Sequence, residues 1–580
     1  MGQSTSGEQQ SFQRTVTNDE LSKLFAQQCA RGLQPIELIS LRTNLERIGK
    51  GFKSTNIEDD IISETEFQSL LSVTEDLPHL RHIIYSMVTS LAQFPLLGHS
   101  TQPLTSQGLL KALCLLSKDR CSKIFNGNVD YLKLIFIALS VQSSKASPPA
   151  VDDTQTVKYQ KPGVISWSEL PIVKTFDGLN IDSLSVPADE LLDIIAVLLA
   201  CSRLKEVESL KKYSHKLSKL DEYKKNALPI LKSMSPNITS SNLQSSSISL
   251  AQFRHTIETV APNLLAPLSC LLESLLYTSD VQDTTEDHDE IHGQGTLDEP
   301  HHSRIINPYT ISQLSTYFSS QLVFSNIRKL YIGRDSGFSM RSFESKVFKW
   351  NAPSIVLLKG SRITKNKSSS NPRYRKFEEQ FPRLPASSPA VANSSTNDET
   401  IIYGIYVDQP WRVSNKETFG TSQTVIFQLA PVQRVFTTAM TAKHFLYFST
   451  LGGGIGVGSA LPTIKGNNEL VRYNPGNVSL TIDSSLEFAV FRNLGIGGEF
   501  RSLSGGVSDE DTYEDRFMLS DVEVWGCGGE KELEEQNKRW EWEQAEAKRR
   551  QQINLKSMGE DRALLEMAGL VGQHQSGGSI

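Results

Sequence analysis

The glycine cluster from Gly452 to Gly458 is the stretch of this chain whose residue types and spacing come nearest to a chemical motif. Gly454, Gly456 and Gly458 alternate with Ile and Val, and glycines at short intervals can let a backbone approach phosphates. A P-loop needs Lys and then Ser or Thr after its last glycine, and a dinucleotide-binding loop needs a parallel strand before it and a helix after it. Neither pattern is present, so the alternation predicts a strand whose glycines permit close backbone packing between sheets.

Three carboxylates in the same part of the chain could supply an acid–base pair. They are Asp483, Glu487 and Glu499. No histidine or cysteine motif accompanies them, although a partner of that kind usually completes such a site. Protein-kinase, Gly-x-Ser-x-Gly and His-Glu-x-x-His signatures are also absent from the sequence. We therefore expect hydrogen-bonding or surface roles for these residues, and a protein with no catalytic residues and no cofactor.

Two possible metal sites are rejected by their spacing. A calcium loop ending at Glu64 would take its first and fifth ligands from Lys53 and Ile57, a cation and a side chain without oxygen. Four histidines of one acidic stretch fit no standard zinc spacing. They are His288, His292, His301 and His302. We expect no metal, and at most a degenerate EF-hand-like arrangement of helices.

The composition bounds the class of protein. With 580 residues the chain is too long for a single core, and its net charge of -6 argues against nucleic-acid binding by bulk electrostatics. Six cysteines occur without a Cys-x-x-Cys pair, which predicts buried, reduced thiols in the cytosol. The N-terminus carries no secretory signal, and the longest apolar run, from Leu191 to Cys201, contains Asp193 and is too short to cross a bilayer. We expect a soluble, cytoplasmic protein.

The N-terminus matches a lipidation pattern. Residues Met1 to Ser6 fit M-G-x-x-x-[ST], in which Gly2 is myristoylated. One myristoyl chain gives only weak, reversible membrane binding, and Arg14 is the single cation among the first twenty residues. A lipid on Gly2 would therefore need a second membrane signal.

Residues 17–277 are predicted to form an all-helical domain after a disordered N-terminus of residues 1–16. Capping boxes, in which Ser or Thr is followed three residues later by Glu, mark helix starts at Thr17 and Ser63. Apolar residues at helical spacing follow each of them. The stretch from Lys205 to Lys232 is rich in lysine and also helical in character.

The second half of the chain is divided by composition. Residues 278–303 are acidic and poor in apolar residues, which predicts a linker. Residues 304–529 alternate strand and turn patterns, with polar inserts at 364–399 and 502–515. We expect the first insert to be a tolerated surface insertion. Residues 530–580 predict a charged, solvated helix and a polar tail.

Short β-branched and aromatic runs predict antiparallel strands in the second domain. They include Ile401–Val407, Thr424–Leu429 and Phe445–Phe448. A last strand contains Asp521-Val522-Glu523-Val524, with the valines on one face and the acids on the other. This alternation predicts that Val524→Asp unfolds the domain and that Glu523→Lys is nearly silent.

The order of these motifs resembles the TLDc domain, from roughly Asn307 to Gly526. The residues that carry the resemblance are Leu330-Tyr331, Gly337-Phe338-Ser339, Gly404-Ile405-Tyr406, Pro410-Trp411-Arg412, Phe419-Gly420-Thr421, Gly452-Gly453-Gly454-Ile455-Gly456 and Asp521-Val522-Glu523-Val524-Trp525-Gly526. The resemblance implies an α+β domain, built as a β-sandwich flanked by helices, without catalytic residues. It also implies links to oxidative-stress resistance and to binding of the vacuolar proton-pumping ATPase.

Three functional classes follow. The first is a non-catalytic, monomeric interaction protein that regulates this ATPase and is cytoplasmic with a peripheral fraction on the vacuolar membrane. In that case the second membrane signal beside Gly2 is the ATPase itself. The second class is an oxidative-stress-resistance protein with an unrecognised enzymatic activity in the glycine-rich strands. The third is a DNA-associated factor, which the net charge disfavours.

Overall fold

The computed structural model describes most of the chain. The described residues are 12–50, 60–71, 78–97, 102–140, 154–161, 164–277, 303–325, 327–363, 372–385, 387–392, 400–465, 470–495, 497–503, 512–529 and, with gaps, 531–550.

Helices dominate the described part of the first half. They are α1 (Asn18–Arg31), α2 (Pro35–Arg47), α3 (Glu64–Leu71), α4 (Pro78–Ala92), α5 (Ser106–Leu116), α6 (Lys118–Phe125), α7 (Tyr131–Ser140), α8 (Pro171–Lys174), α9 (Ala188–Ala200), α10 (Ser214–Leu217), α11 (Leu220–Met234), α12 (Leu250–Thr259) and α13 (Ala266–Glu273). The predicted capping box at Ser63 is confirmed, because Ser63 N–H donates to Glu66 Oε2 at 2.8 Å and Ser63 Oγ accepts from the Glu66 N–H at 3.4 Å. At Thr17 the predicted helix start is confirmed, because Thr17 Oγ1 accepts from the Glu20 N–H at 3.3 Å, but the Glu20 carboxylate pairs with Arg14. One continuous hydrophobic core, from Val16 to Leu276, joins these helices. Among the described helices, none has the length and apolar character needed to cross a membrane.

The predicted disorder of residues 1–16 is wrong for residues 12–16, which belong to a small sheet. Strand β1 (Phe12–Thr17) pairs antiparallel with β2 (Thr154–Lys161), which also pairs with β3 (Val164–Ile165). The partner of β1 is far along the chain, so no local pattern could reveal the pairing. Residues 1–11, including Gly2, lie outside the described residues. A second short pair joins β4 (Ser185–Pro187) to β5 (Ser247–Ser249).

The second half is built on one large antiparallel sheet. Its strands, together with the separate pair β13–β14, are β6 (Ile327–Ile332), β7 (Ser354–Arg362), β8 (Thr400–Val407), β9 (Val425–Ala430), β10 (Arg434–Thr438), β11 (Leu446–Ser449), β12 (Gly454–Val457), β13 (Ala460–Lys465), β14 (Leu470–Asn474), β15 (Val478–Ile482), β16 (Phe488–Asn493), β17 (Phe500–Ser502) and β18 (Tyr513–Cys527). The sheet order is β11-β12-β15-β16-β18-β7-β8-β9-β10-β17, with β6 also on β18. The helices of this half are α14 (Pro308–Ser315), α15 (Gly333–Ser336), α16 (Met340–Val347), α17 (Pro372–Gln380) and α18 (Pro389–Ala392). The predicted mixture of helix and sheet after a helical region is confirmed.

Strand β18 organises the large sheet. One part of β18 pairs with β16 and the other with β7 and β6, so this long strand connects the two halves of the sheet. The sheet curls until Phe436 of β10 packs against Phe491 of β16, with ring centroids 4.8 Å apart. Ile405, Val457 and Val524 lie in the core enclosed by this curl.

The part of β18 from Asp521 to Cys527 is buried on both faces, so the prediction for Glu523 is wrong. Val524 lies in the core as predicted, but Glu523 is also 0% exposed. The Glu523 carboxylate accepts hydrogen bonds from Ser303 Oγ at 2.8 Å and from the N–H groups of Arg304 at 2.9 Å and Ile305 at 3.1 Å. The alternating pattern predicted that this face of the strand is exposed to solvent. Instead, residues 303–305, which lead into α14, cover it.

The first predicted insert, 364–399, contains a packed helix. Tyr374 and Phe377 of α17 and Phe381 just beyond it are buried in a cluster with Phe488 of β16. The interpretation of this insert as a simple surface insertion is therefore wrong for its middle part. The aromatic side chains recur at helical spacing, a signal hidden by the polar composition around them.

The remaining boundaries are only partly described. In the second insert, 502–515, residues 504–511 lie outside the described residues, and β18 already begins at Tyr513. The predicted linker and its histidines lie outside the described residues up to position 302. Residues 53–59 of the tested calcium loop also lie outside the described residues, so the EF-hand-like detail stays a prediction. Between 531 and 550 the described residues are short helical stretches, and the charged C-terminal helix and tail stay predictions.

The helical region and the sheet domain meet at α14. Asn226 Nδ2 donates to Gln313 Oε1, and Gln313 Nε2 donates to Gln433 Oε1, both at 2.9 Å. The N–H of Gln433 donates to the Pro229 carbonyl at 2.9 Å. Buried amides that satisfy each other in this way fix the contact between the two regions.

Candidate functional site

The glycine cluster spans the end of the turn between β11 and β12, strand β12 itself and Gly458 just after it. Ile455 and Val457 lie in the core, so the glycine between them faces the other side of the sheet. Gly456 pairs with Tyr447, and a Cβ at Gly456 would lie 2.2 Å from the Tyr447 ring. The predicted strand is confirmed, but the close contact at Gly456 is with a ring of the paired strand rather than with another sheet. Because another strand follows, the hairpin is not a dinucleotide-binding loop.

We expect Gly456→Ala to destabilise the protein by about 1–3 kcal/mol, the usual penalty for overpacking a core. The Tyr447 ring is 0% exposed and cannot move aside cheaply. In a Tyr447→Ala background the same glycine substitution should be nearly neutral. Denaturant unfolding of the four proteins of this double-mutant cycle measures the coupling. Equal penalties in both backgrounds would contradict the contact.

A cleft of about 550 Å³ opens beside this hairpin. Glycine backbone forms much of its wall. Gly458 has a φ of +68°, and a Cβ added at Gly476 would lie only 2.1 Å from the carbonyl oxygen of Gly458. Gly497 and Gly498 also line it. The histidine and the charged side chains that line the cleft are His444, Arg472, Arg492 and Glu499. Sequence reasoning missed the first three, because they are scattered along the chain and only the fold brings them together.

Arg492 is held inside the domain rather than offered to a ligand. Its Nε donates to Glu514 Oε2 and its Nη2 to the Pro382 carbonyl, both at 2.7 Å. The guanidinium also lies 5.1 Å from the centroid of the Phe381 ring. Burial lowers the pKa of Arg492, and the nearby Glu514 carboxylate opposes that shift.

Glu499 is engaged with the loop that borders the cleft. Its carboxylate accepts from the N–H of Lys443, and its carbonyl accepts from the N–H of Ala439 at 2.8 Å. Thr441 and His444 line the same cleft. A catalytic triad needs hydrogen bonds from nucleophile to base and from base to a third group. In the described part of the chain, no hydrogen bond joins Thr441, His444 and Glu499 to one another.

Asp483 and Glu487 lie apart from this cleft, on the turn between β15 and β16. Asp483 accepts from the N–H groups of Ser485 at 3.1 Å, Glu487 at 2.9 Å and Phe488 at 2.8 Å, so it holds the turn. Burial raises the pKa of Asp483, and these hydrogen bonds oppose the shift. Glu487 forms an ion pair with Arg373 of α17. The structure therefore does not bring the three predicted carboxylates together, and the hydrogen-bonding roles expected for them are confirmed.

The thiols and the metal candidates supply no reactive site among the described residues. Five of the six cysteines are buried and Cys270 is half-buried, and all six are free thiols. Burial raises the pKa of Cys121, Cys201 and Cys527 to about 12, which keeps these thiols protonated and unreactive. Within the ranges that the structure describes, no group of three metal-ligating side chains comes together.

Comparison with known proteins assigns the domain and then the chain. Residues 299–528 match the TLDc domain. Relatives named "Restriction of telomere capping protein 5" match over their whole length and the whole of this chain. They are 41% identical over 596 residues in Kluyveromyces lactis, 41% over 589 in Zygosaccharomyces rouxii and 40% over 605 in Komagataella phaffii. The chain belongs to the restriction of telomere capping protein 5 family.

In this restriction of telomere capping protein 5 family member, the match to the TLDc domain confirms the predicted resemblance. The matched range extends slightly beyond both ends of the predicted range, Asn307 to Gly526. Two of the motifs contact each other: Trp411 packs against Phe419 with ring centroids 5.9 Å apart. Trp411 Nε1 also donates to Ser354 Oγ of β7 at 2.8 Å. The motifs of the TLDc domain are thus mainly packing elements of the sheet.

Proposed function

We propose that this chain is a non-catalytic TLDc-type interaction protein that binds and regulates the vacuolar proton-pumping ATPase. The observation that carries the proposal is the TLDc domain over residues 299–528, since TLDc proteins are linked to binding this ATPase. The relatives' name refers to telomere capping, a phenotype that names no chemistry. An influence on telomere capping would arise through binding, not through a reaction on DNA.

Exposed apolar side chains on ordered loops support a protein partner. Val413 and Leu451 are each 41% exposed, and Met440 is 97% exposed. The loops of Val413 and Leu451 are joined by Asn415 Nδ2, which donates to Thr450 Oγ1 at 2.9 Å. Aliphatic groups held in place at a surface bury readily against a partner. We propose that the loops of Val413 and Leu451 contact the ATPase.

The charged segment after the domain offers a further contact. Trp542 is 64% exposed within a described helical stretch of this segment. Exposed tryptophans are uncommon on surfaces that stay in water and are enriched where partners bind. We propose that residues 530–550 contribute to the ATPase interface.

Location supplies a test of this proposal. A myristoyl group on Gly2 with an association constant of about 10⁴ M⁻¹ needs a second signal for stable anchoring. The ATPase supplies such a signal, so a C-terminally tagged chain should be mostly cytosolic with a fraction on the vacuolar membrane. Gly2→Ala and deletion of the ATPase should each deplete that fraction. An unchanged membrane signal in Gly2→Ala would remove the lipid from the account.

The alternative is an oxidative-stress-resistance protein with an unrecognised enzymatic activity in the glycine-rich strands. It is favoured by one observation, the presence of His444 and Glu499 in one cleft. Because Glu499 is engaged with the backbone, we expect the purified full-length protein to be inert towards esters, nucleotides and peroxides. Turnover that Glu499→Gln abolishes without lowering the melting temperature would instead establish the enzyme.

A further inference from the structure

A lysine surface in the helical region is not used by the proposed ATPase contact. The segment from Ser209 to Lys219 contains four lysines and one histidine, and neither Asp nor Glu. The whole chain carries a net charge of -6, so the positive charge of this segment is opposite in sign to that of the chain as a whole. We call it the lysine surface. Its cationic side chains are Lys211, Lys212, His215, Lys216 and Lys219.

The fold turns these lysines outward. Leu210, Tyr213, Leu217 and Leu220 recur at intervals of three and four residues and are at most 5% exposed. Ser209 begins the first turn, where its Oγ accepts from the Lys211 N–H at 3.3 Å. An amphipathic segment with one buried apolar face presents the residues between those positions to solvent.

The charges of the lysine surface are only partly neutralised. Lys212 pairs with the buried Glu208 at 3.1 Å, and Lys216 Nζ lies 4.4 Å from the centroid of the Tyr213 ring. Lys211 and Lys219 are exposed and form no ion pair within the described part of the chain. The neighbouring carboxylates of the chain are Glu206, Asp221 and Glu222, of which Glu222 is paired with Lys225 at 2.7 Å.

We propose that the lysine surface binds the headgroups of an anionic lipid bilayer. Lysines are flexible point charges that suit a diffuse anionic surface, whereas specific phosphate recognition favours the planar fork of arginine. Tyr213 within the lysine surface and Tyr223 in α11 are at most 4% exposed, so neither ring offers a face for stacking nucleic-acid bases. A lipid on Gly2 needs further membrane signals, and this surface adds one beside the proposed ATPase contact.

The test uses sedimentation of the purified full-length chain with vesicles, in both acylated and unacylated forms. Vesicles of phosphatidylcholine are compared with vesicles that also contain about one-third phosphatidylserine. The charge-reversed variant is Lys211→Glu/Lys219→Glu. Its matched control is Arg375→Glu/Lys376→Glu, which reverses two exposed cations of α17 that form no ion pair in the described part of the chain.

We expect binding to phosphatidylserine vesicles to exceed binding to phosphatidylcholine vesicles and to weaken with salt. A contribution of about fivefold per lysine predicts a loss of about 25-fold or more in Lys211→Glu/Lys219→Glu. The α17 control should bind like the original protein. Equal losses in both variants, no preference for phosphatidylserine, or the same lysine dependence for single-stranded nucleic acid without vesicle binding would each overturn the proposal. The vesicles contain no ATPase, so failure here leaves the proposed ATPase binding untouched.

Discussion

Glu523→Lys is expected to unfold the TLDc domain. The Glu523 carboxylate binds Ser303 Oγ and the N–H groups of Arg304 and Ile305, and its Oε2 accepts from Trp525 Nε1 at 3.1 Å. Lysine would remove the acceptor, leave these donors unpaired and place an ammonium in the same dry site. Breaking a buried charged network costs about 3–5 kcal/mol, and an added unpaired charge raises that figure. The sum is comparable to the whole stability of a domain.

Glu523→Gln is the matched control for charge. It keeps the shape and one acceptor oxygen, so we expect a loss of only about 1–3 kcal/mol. Thermal unfolding of the full-length variants, followed by tryptophan fluorescence, measures both effects because Trp525 reports on this site. If the Glu523→Lys protein kept the original melting temperature, the Glu523 carboxylate would not be what fixes residues 303–305 against the sheet.

Val524→Asp should be nearly as damaging, for a different reason. Val524 is 0% exposed in the core of the curled sheet, where a carboxylate finds no described hydrogen-bond donor in place of the methyl groups. Burial of an unpaired charge is expected to cost at least about 4 kcal/mol. Val524→Ala removes the packing without adding a charge and should lose about 2 kcal/mol.

Met518→Asp is the positional control for Val524→Asp. Met518 lies on the same strand but is 45% exposed, so a change of about 0.5 kcal/mol or less is expected. Urea unfolding of the three variants orders their stabilities. If Met518→Asp and Val524→Asp destabilised the protein equally, the assignment of the two side chains to outside and inside would be wrong.

The pair Val524 and Glu523 shows where reasoning from sequence stops. Alternation correctly placed them on opposite faces of a strand. It could not show that both faces are covered, because the cover over Glu523 comes from residues more than two hundred positions earlier, at Ser303 to Ile305. In the sequence, a buried carboxylate and a solvent-exposed one look the same. Only the structure shows which hydrogen-bond donors surround the carboxylate.

Local signals were reliable where the cause was local. The helix starts predicted at Thr17 and Ser63 depend on atoms three residues apart, and both are present in the structure. The pairing of β1 with β2, and the gathering of His444 with Glu499 in one cleft, depend on distant parts of the chain. In the insert at 364–399, Tyr374, Phe377 and Phe381 recur at helical spacing, which indicates a helix. The polar composition of the insert instead favours a surface loop, and that interpretation is wrong for this part.

Binding of the purified full-length protein to the purified vacuolar proton-pumping ATPase tests the central claim most directly. Size-exclusion chromatography of the mixture at physiological salt should show the two eluting together. The Glu523→Lys protein, whose TLDc domain is expected to be unfolded, should elute apart from the ATPase. Separate elution of a correctly folded original protein and the ATPase at micromolar concentrations would contradict the claim.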